Sequence, residues 1–380
     1  MEKCSRNTAV KAAKKQRSPG YPGENGGKKR KRVLTCFKLC ATMQKMNTGF
    51  PEKQDFYGST VFKCWIGFLE NATNSRILER CAMMEARLTR KQFDLLTCLE
   101  GKGKGMTQRE LAEATKMSLG SVNRTLSSLN ELGLVDENGL TGDGFAALEP
   151  YRVKRAIFLA AGFGARLVPV TLNTPKALVR VKGARIIDTL LDAVVKAGIE
   201  EIYIVRGYLG EQFDQLMYKY PTIRFIENPI YNESNNISSA VCARHLMQRA
   251  YVLEADLVLF NPGLIQKYQY TSNFLGVPVK STDDWCAETK NGIITKFQVG
   301  GTNCHHIFGI SYWNSTDGAK LYEDIKQVYE MPGGRERYWD QVALEYCQSN
   351  YKVEVRECTF DDMVEIDTFS DLKRVDPTYT

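Results

Sequence analysis

The sequence predicts a mainly parallel α/β domain preceded by a small helical module, and three observations carry that reading. From about residue 152 onward, short apolar runs alternate with helical stretches, the pattern of a parallel sheet with helices on both faces. The first of those runs ends in a glycine-rich turn, Ala160-Ala161-Gly162-Phe163-Gly164. Ahead of it, residues 84–150 hold three helical patterns separated by short turns.

The chain of 380 residues is 43% hydrophobic and 25% charged, a soluble globular profile with room for two domains. No apolar run reaches the roughly 20 residues that span a bilayer. The best candidate, residues 60–69, is short and carries Lys63. A cytoplasmic protein without membrane insertion is therefore expected. The eleven cysteines are odd in number and lack C-x-x-C pairs, which favours reduced thiols over a disulfide framework. The three histidines make no zinc-site spacing.

The net charge of +7 is unevenly placed. Residues 1–83 hold 17 Lys and Arg against 6 Asp and Glu, a net of +11, and the remainder carries −4. The basic balance belongs to this leader and is no argument for nucleic-acid binding by the body. Residues 11–32 are rich in Lys, Gly, Pro and Ser, too polar to bury a core, so residues 1–83 are expected to be disordered. Residues 28–32 (KKRKR) read as a solvated basic tail, with a nuclear address or a polyanion contact as alternatives. Met83 and Met84 stand directly before the first well-patterned helix, so an over-extended reading frame explains the leader equally well.

Residues 84–150 are expected to fold as one module. Thr89 caps a helix carrying Phe93, Leu95, Leu96 and Leu99. Thr107, with Glu110 three residues on, makes a capping box for a second. A third helix runs over residues 119–132 with Val122, Leu126 and Leu129 as its apolar stripe, and Gly133 ends it. Leu134-Val135 and Leu140-Thr141 then flank an Asn138-Gly139 turn. This order resembles the winged helix-turn-helix of MarR-type regulators. Ser121, Asn123, Arg124 and Ser128 of the third helix have side chains able to touch bases or phosphates, so DNA is a possible partner. Against it, the module holds 8 basic and 10 acidic residues, a net of −2, and phosphate neutralisation is the main source of non-specific DNA affinity. A packing or dimerisation role is the alternative, and the sequence leaves the oligomeric state open.

In residues 151–380, strands are expected at 156–160, 202–205, 223–226 and 251–253, with a helix over 186–197 stopped by Gly198. Ligands of such sheets bind at the carboxyl ends of strands. The glycine turn sits at one, where backbone N–H groups can approach phosphate oxygens, and Arg166 and Lys176 add positive charge. That combination suits a nucleoside triphosphate. The dinucleotide fingerprint fails, because Leu167 stands where its third glycine belongs, and no Gly-Lys-[Ser/Thr] follows for a Walker loop. Asp256 follows the strand at 251–253. Asp367 closes Val364-Glu365-Ile366-Asp367, where alternation would turn Glu365 and Asp367 to one face. Each is placed to hold Mg²⁺, though taken alone each reads more readily as a turn or cap residue.

The stretch Leu159 to Leu178, with its glycine turn, Arg166 and Pro175-Lys176, resembles the signature of nucleotidyltransferases that join an NTP to a phosphorylated small molecule. Asn235-Asn236 with Ser238, Glu254-Ala255-Asp256, Asp283-Asp284-Trp285, Tyr338-Trp339-Asp340 and Glu365-Ile366-Asp367 sharpen the likeness. Over about residues 154–376 the chain looks most like the CTP:phosphocholine cytidylyltransferases of bacterial surface-choline pathways. The resemblance implies a Rossmann-like nucleotidyltransferase fold and transfer of CMP from CTP to phosphocholine, with pyrophosphate released. It implies that the segment around Leu159, Ala161, Gly162 and Gly164 cradles the nucleotide and that Arg166 holds the β- and γ-phosphates. Lys176 would bridge the α-phosphate and the incoming phosphate, and Asp256 and Asp367 would hold Mg²⁺. Asn236 is assigned to the base or ribose. Trp285 and Tyr338, with Trp339 adjacent and Asp340 beside them, would receive the cationic head of the acceptor, although read without the resemblance these aromatics are packing residues. One departure is Glu254, where relatives commonly carry Asp. Phosphoethanolamine, 2-aminoethylphosphonate or a sugar 1-phosphate as acceptor, or a ligand-sensing DNA-binding regulator, are the alternative readings.

Overall fold

The computed structural model describes residues 87–102 and 106–379, all within one compact unit. The leader expected over residues 1–83, with its basic cluster, lies outside the described residues.

The helical module is built as its capping residues dictate. Helix α1 (Arg90–Lys102) starts where the Thr89 hydroxyl accepts from the Gln92 N–H. Helix α2 (Gln108–Thr115) carries the full Thr107–Glu110 capping box. Helix α3 (Leu119–Glu131) is capped by Ser118 and buries Val122 and Leu129. Strands β1 (Val135–Asp136) and β2 (Gly139–Leu140) pair across the Asn138-Gly139 turn as a short wing. Helix α4 (Gly142–Leu148), capped by Thr141, was not legible in the sequence pattern.

The larger part begins with β3 (Arg155–Ala160), followed by the small hairpin β4 (Arg180–Val181) and β5 (Ala184–Arg185). Helix α5 (Ile186–Lys196) then leads to β6 (Glu201–Arg206) and β7 (Ile223–Glu227). Helix α6 (Ile237–Ala243), β8 (Ala250–Glu254) and β9 (Leu257–Leu259) follow. A long hairpin of β10 (Asn273–Lys290) and β11 (Ile293–Trp313) precedes α7 (Ser315–Glu330). The chain closes with β12 (Glu354–Glu357), β13 (Met363–Glu365) and α8 (Phe369–Val375).

Seven strands form one sheet in the order β10-β12-β11-β8-β3-β6-β7. Strands β8, β3, β6 and β7 run parallel, and β11 joins β8 antiparallel, so the sheet is mixed, with these four strands forming its parallel half. Strands β3, β6 and β8 are buried on both faces, which explains their near-continuous apolar runs, whereas β7 lies at the edge with Arg224 and Glu227 exposed. Ile187, Leu190, Leu191 and Val194 of α5 pack with Phe158, Ile204 and Leu253 on one face. Ile237 and Ala240 of α6 and Leu321 and Ile325 of α7 pack with Ile157, Val205 and Val252 on the other.

The helical module is seated on the sheet domain. Phe93, Tyr151 and Tyr270 form an aromatic cluster with centroids 5.1 to 5.5 Å apart. The Tyr270 hydroxyl donates to the Leu88 carbonyl at 2.9 Å, and Arg90 pairs with Glu354 at 2.9 Å. Two of the four α3 side chains expected to face DNA are engaged inside the protein: Ser121 is buried, and the Ser128 hydroxyl accepts from Gln92. Asn123 and Arg124 remain exposed.

Candidate active site

The site sits where β3 and β8 end side by side, with Leu159 opposite Glu254 in the parallel ladder. Beyond β3 the chain turns through Ala161, Gly162 and Gly164. Gly164 has φ +69°, and a Cβ there would lie 3.1 Å from the Lys176 Cβ and 3.3 Å from Thr171 Cγ2. Glycine is therefore needed both for the left-handed backbone and for close approach of the turn to the lysine segment. The buried Thr171 hydroxyl donates to the Gly164 carbonyl at 2.9 Å and fixes the turn.

Lys176 lies on a single 3₁₀ turn after Pro175. Its Nζ is 2.9 Å from Asp256 Oδ2 and 2.8 Å from Asp367 Oδ1, and Arg166 Nη2 reaches the same Asp367 oxygen at 2.9 Å. Two short strands bring the aspartates together. β13 pairs antiparallel with β9, and the Ile366 N–H donates to the Asp256 carbonyl at 3.1 Å. Asp367 thus meets Lys176 across 191 residues of sequence.

The electrostatics are strongly acidic. Oxygens of Glu254, Asp256 and Glu365 lie within 4.8 Å of one another. Burial, reinforced by repulsion from Asp256 and Asp340, raises the Glu254 carboxyl well above the usual range, and burial plus Asp256 and Asp367 do the same to Glu365. Burial alone lowers the Lys176 pKa, but the facing Asp256 and Asp367 carboxylates more than offset it and hold the amine above the ordinary lysine range. Asp256 Oδ1 is buried and accepts no hydrogen bond.

Farther out, the Trp285 ring stacks on Phe297 at 4.8 Å and meets Tyr338 edge-on at 5.5 Å and 70°, making an aromatic corner. Tyr338 is 41% exposed. Asp340 follows, and burial pushes its carboxyl up to about 7.

Residues 156–273 match the MobA-like NTP transferase domain, and residues 88–144 match the MarR family. The chain is 32% identical over 228 residues to the 2-aminoethylphosphonate cytidylyltransferase of Lancefieldella rimae, covering 59% of this chain and 92% of that protein. It is 30% identical over 223 residues to the choline-phosphate cytidylyltransferase of Streptococcus pneumoniae, covering 58% and 96%. The solved CTP:phosphocholine cytidylyltransferase of S. pneumoniae superposes with a TM-score of 0.55 at 30% identity, covering 60% of this chain and all of that one. The chain belongs to the cytidylyltransferase family.

Within this cytidylyltransferase three of the expected positions are engaged inside the protein. Trp339 is 2% exposed and packs against Phe274 and Trp313, so its ring is core and not part of a substrate pocket. Asn236 does not present a free amide to a nucleotide: its Nδ2 donates to Glu254 Oε1 and its Oδ1 accepts from the Trp339 N–H, both at 2.9 Å. The Leu159 side chain is buried, and its backbone lies in the ladder between Val205 and Glu254. The expectation that Glu365 and Asp367 share a strand face is also modified. β13 ends at Glu365, which joins Glu254 and Asp256, whereas Asp367 turns to Lys176 and Arg166. Sequence reasoning missed Glu365 and Glu254 as members of the acidic cluster, although each stands two residues from an aspartate that it singled out.

Proposed function

We propose that this cytidylyltransferase transfers CMP from CTP to phosphocholine, giving CDP-choline and pyrophosphate. The observation that carries the choline reading is the aromatic corner of Trp285 and Tyr338. A quaternary ammonium has no N–H to donate, so aromatic faces are its main attraction. Asp340, two residues after Tyr338, would add negative potential toward either kind of cationic head.

The residues at the strand ends fit a divalent cation. Asp256 and Asp367 would hold Mg²⁺, with Glu365 and Glu254 beside them. The unpartnered Asp256 Oδ1 and the surplus of close carboxylates support that fit. Bound there, the metal supplies positive charge to the triphosphate oxygens. Backbone N–H groups of Ala161, Gly162 and Gly164 cradle the nucleotide phosphates. Arg166, with its side chain 67% exposed, reaches outward to the β- and γ-phosphates. Lys176 draws the α-phosphate and the incoming phosphate together. An acceptor phosphate oxygen attacks the α-phosphorus in line, its bond forms as the bond to pyrophosphate breaks, and no general base is needed because a phosphate monoester has its second pKa near about 6. Catalysis is then positioning and charge neutralisation.

The likeness to the Lancefieldella enzyme favours 2-aminoethylphosphonate as a second acceptor. Pyrophosphate release by the full chain with Mg²⁺ decides between them, crossing CTP, UTP, ATP and GTP with phosphocholine, phosphoethanolamine, 2-aminoethylphosphonate and glucose 1-phosphate. Turnover confined to CTP with phosphocholine is expected; preference for a primary amine would keep the phosphate centre and discard the choline reading. Between pH 6 and 8 the acceptor KM should fall, because Asp340 gains negative charge as pH rises through about 7. Asp340→Asn should flatten that part of the profile and leave the part due to the acceptor's own phosphate.

A further inference from the structure

The segment Ser234-Asn235-Asn236 is a clamp. The Ser234 hydroxyl and the Asn235 N–H both donate to the Arg335 carbonyl, at 2.8 and 2.7 Å. Asn235 Nδ2 donates to the Glu336 carbonyl at 3.2 Å. Asn236 Oδ1 accepts from the Trp339 N–H. All four bonds engage the backbone of the loop that carries Tyr338 and Asp340, so the grip is independent of that loop's own side chains. Beneath the loop, the Trp339 indole is sunk in the core against Phe274 and Trp313.

Asn236 differs from its two neighbours because its other end leaves the loop. Its Nδ2 donates to Glu254 at the end of β8, and Glu254 lies in the carboxylate cluster with Asp256. Gly309 of β11 makes room for this arrangement, since a Cβ there would fall 2.5 Å from Glu254 Oε2. One planar amide therefore spans from the head-group loop to the phosphate centre. A primary amide suits this position because its oxygen meets a backbone donor while its nitrogen meets a carboxylate, a pairing that neither Asp nor Ala can supply.

We propose that Asn236 is a positioning residue that sets the spacing between the acceptor's cationic head and the reacting phosphate, and thereby selects the acceptor's spacer length. This rests on the reading of Trp285, Tyr338 and Asp340 as the head-group site. An acceptor held at both ends must match the distance between them, and loosening the loop relaxes that demand.

The test uses the full chain and steady-state kinetics with CTP, phosphocholine and its three-carbon-spacer homologue. Asn236→Ala should raise the acceptor KM about tenfold, the effect of one lost hydrogen bond. The KM for CTP should stay within about twofold on the same grounds, and the preference for the two-carbon spacer should narrow. Asn236→Asp keeps the acceptor for Trp339 but sets a carboxylate against Glu254. Combined with Glu254→Gln, whose amide can donate to it, the pair should perform no worse than Glu254→Gln alone, a coupling that a double-mutant cycle reads directly. A rise in the CTP KM alone would make Asn236 a nucleotide contact and overturn the proposal. So would a lowered melting temperature with unchanged acceptor KM and unchanged spacer preference. The wild-type panel decides the substrate reading first. The Asn236 comparison is then run on whichever acceptor turned over and its longer homologue, so either idea can fail alone.

Discussion

Lys176 has its ammonium held between Asp256 and Asp367, with only 15% of its side chain exposed. Burial lowers its pKa, but those carboxylates more than offset this and hold the amine above the ordinary lysine range. Removing it leaves acidic groups facing one another, but they can relieve the repulsion by taking up protons, and Arg166 stays on Asp367. Lys176→Ala should therefore lower kcat by roughly 100- to 1,000-fold, the usual cost of losing one donor to developing charge, with little change in melting temperature. Comparable losses in activity and thermal stability would make it a fold residue. At this scale the sequence singled out Arg166, Lys176, Asp256 and Asp367 by residue type, and the structure brings the four side chains together. The sequence was not readable at Tyr338-Trp339, where two adjacent aromatics look equivalent until the backbone sends one ring into the core and leaves the other exposed.

Among the elements, the strands with the least sequence signal position the chemistry. β3, β6, β7, β8 and α5 were legible to within a residue or two, β3, β6 and β8 because buried parallel strands carry near-continuous apolar runs, α5 from its apolar face, and β7 from the apolar Ile223, Phe225 and Ile226 of an edge strand. The β10–β11 hairpin was not, because its register shifts repeatedly through bulges and the alternation is lost. β13 is only three residues long, yet its pairing with β9 delivers Glu365 and Asp367 to Asp256. Gly309 shows how β11 serves the same site. Gly309→Ala would place a methyl within 2.8 Å of the Glu254 Cβ and within 2.5 Å of its Oε2, forcing that carboxylate to move. The expected outcome is a clear loss of kcat/KM and a higher Mg²⁺ requirement in a protein that still folds, checked by Mg²⁺ titration beside far-UV circular dichroism. Unchanged Mg²⁺ dependence would show that Glu254 has no part in the centre.

At the scale of the whole molecule, the winged module is fixed to the transferase by the Phe93–Tyr151–Tyr270 cluster and by the Arg90–Glu354 and Lys267–Glu100 pairs. Among the described residues no helix is long and apolar enough to cross a membrane. The charge is divided so that residues 1–83 carry +11 and the winged module −2. Any salt-sensitive DNA binding should therefore follow the leader. In a gel-shift assay at low salt, the full chain should retard random duplex and a chain beginning at Met84 should not. Equal retardation by both would assign the binding to Asn123, Arg124 and the wing, and would make the protein a regulator as well as an enzyme.

The sequence by itself determined the parallel sheet, the winged module and the glycine turn at the end of β3, and it singled out the basic and acidic residues proposed for the transfer chemistry. Each rests on local rules of periodicity, capping, strand ends and charge, which act over a few residues. Only the tertiary structure decided that Glu254 and Glu365 join Asp256, that Lys176 lies between two aspartates, that Trp339 is core, and that Asn236 bridges a loop to a strand end. Those arrangements depend on which segments far apart in the chain become neighbours, and on which side of a backbone a given side chain leaves. Hydrophobic burial fixes both for the molecule as a whole, and no local pattern records the result.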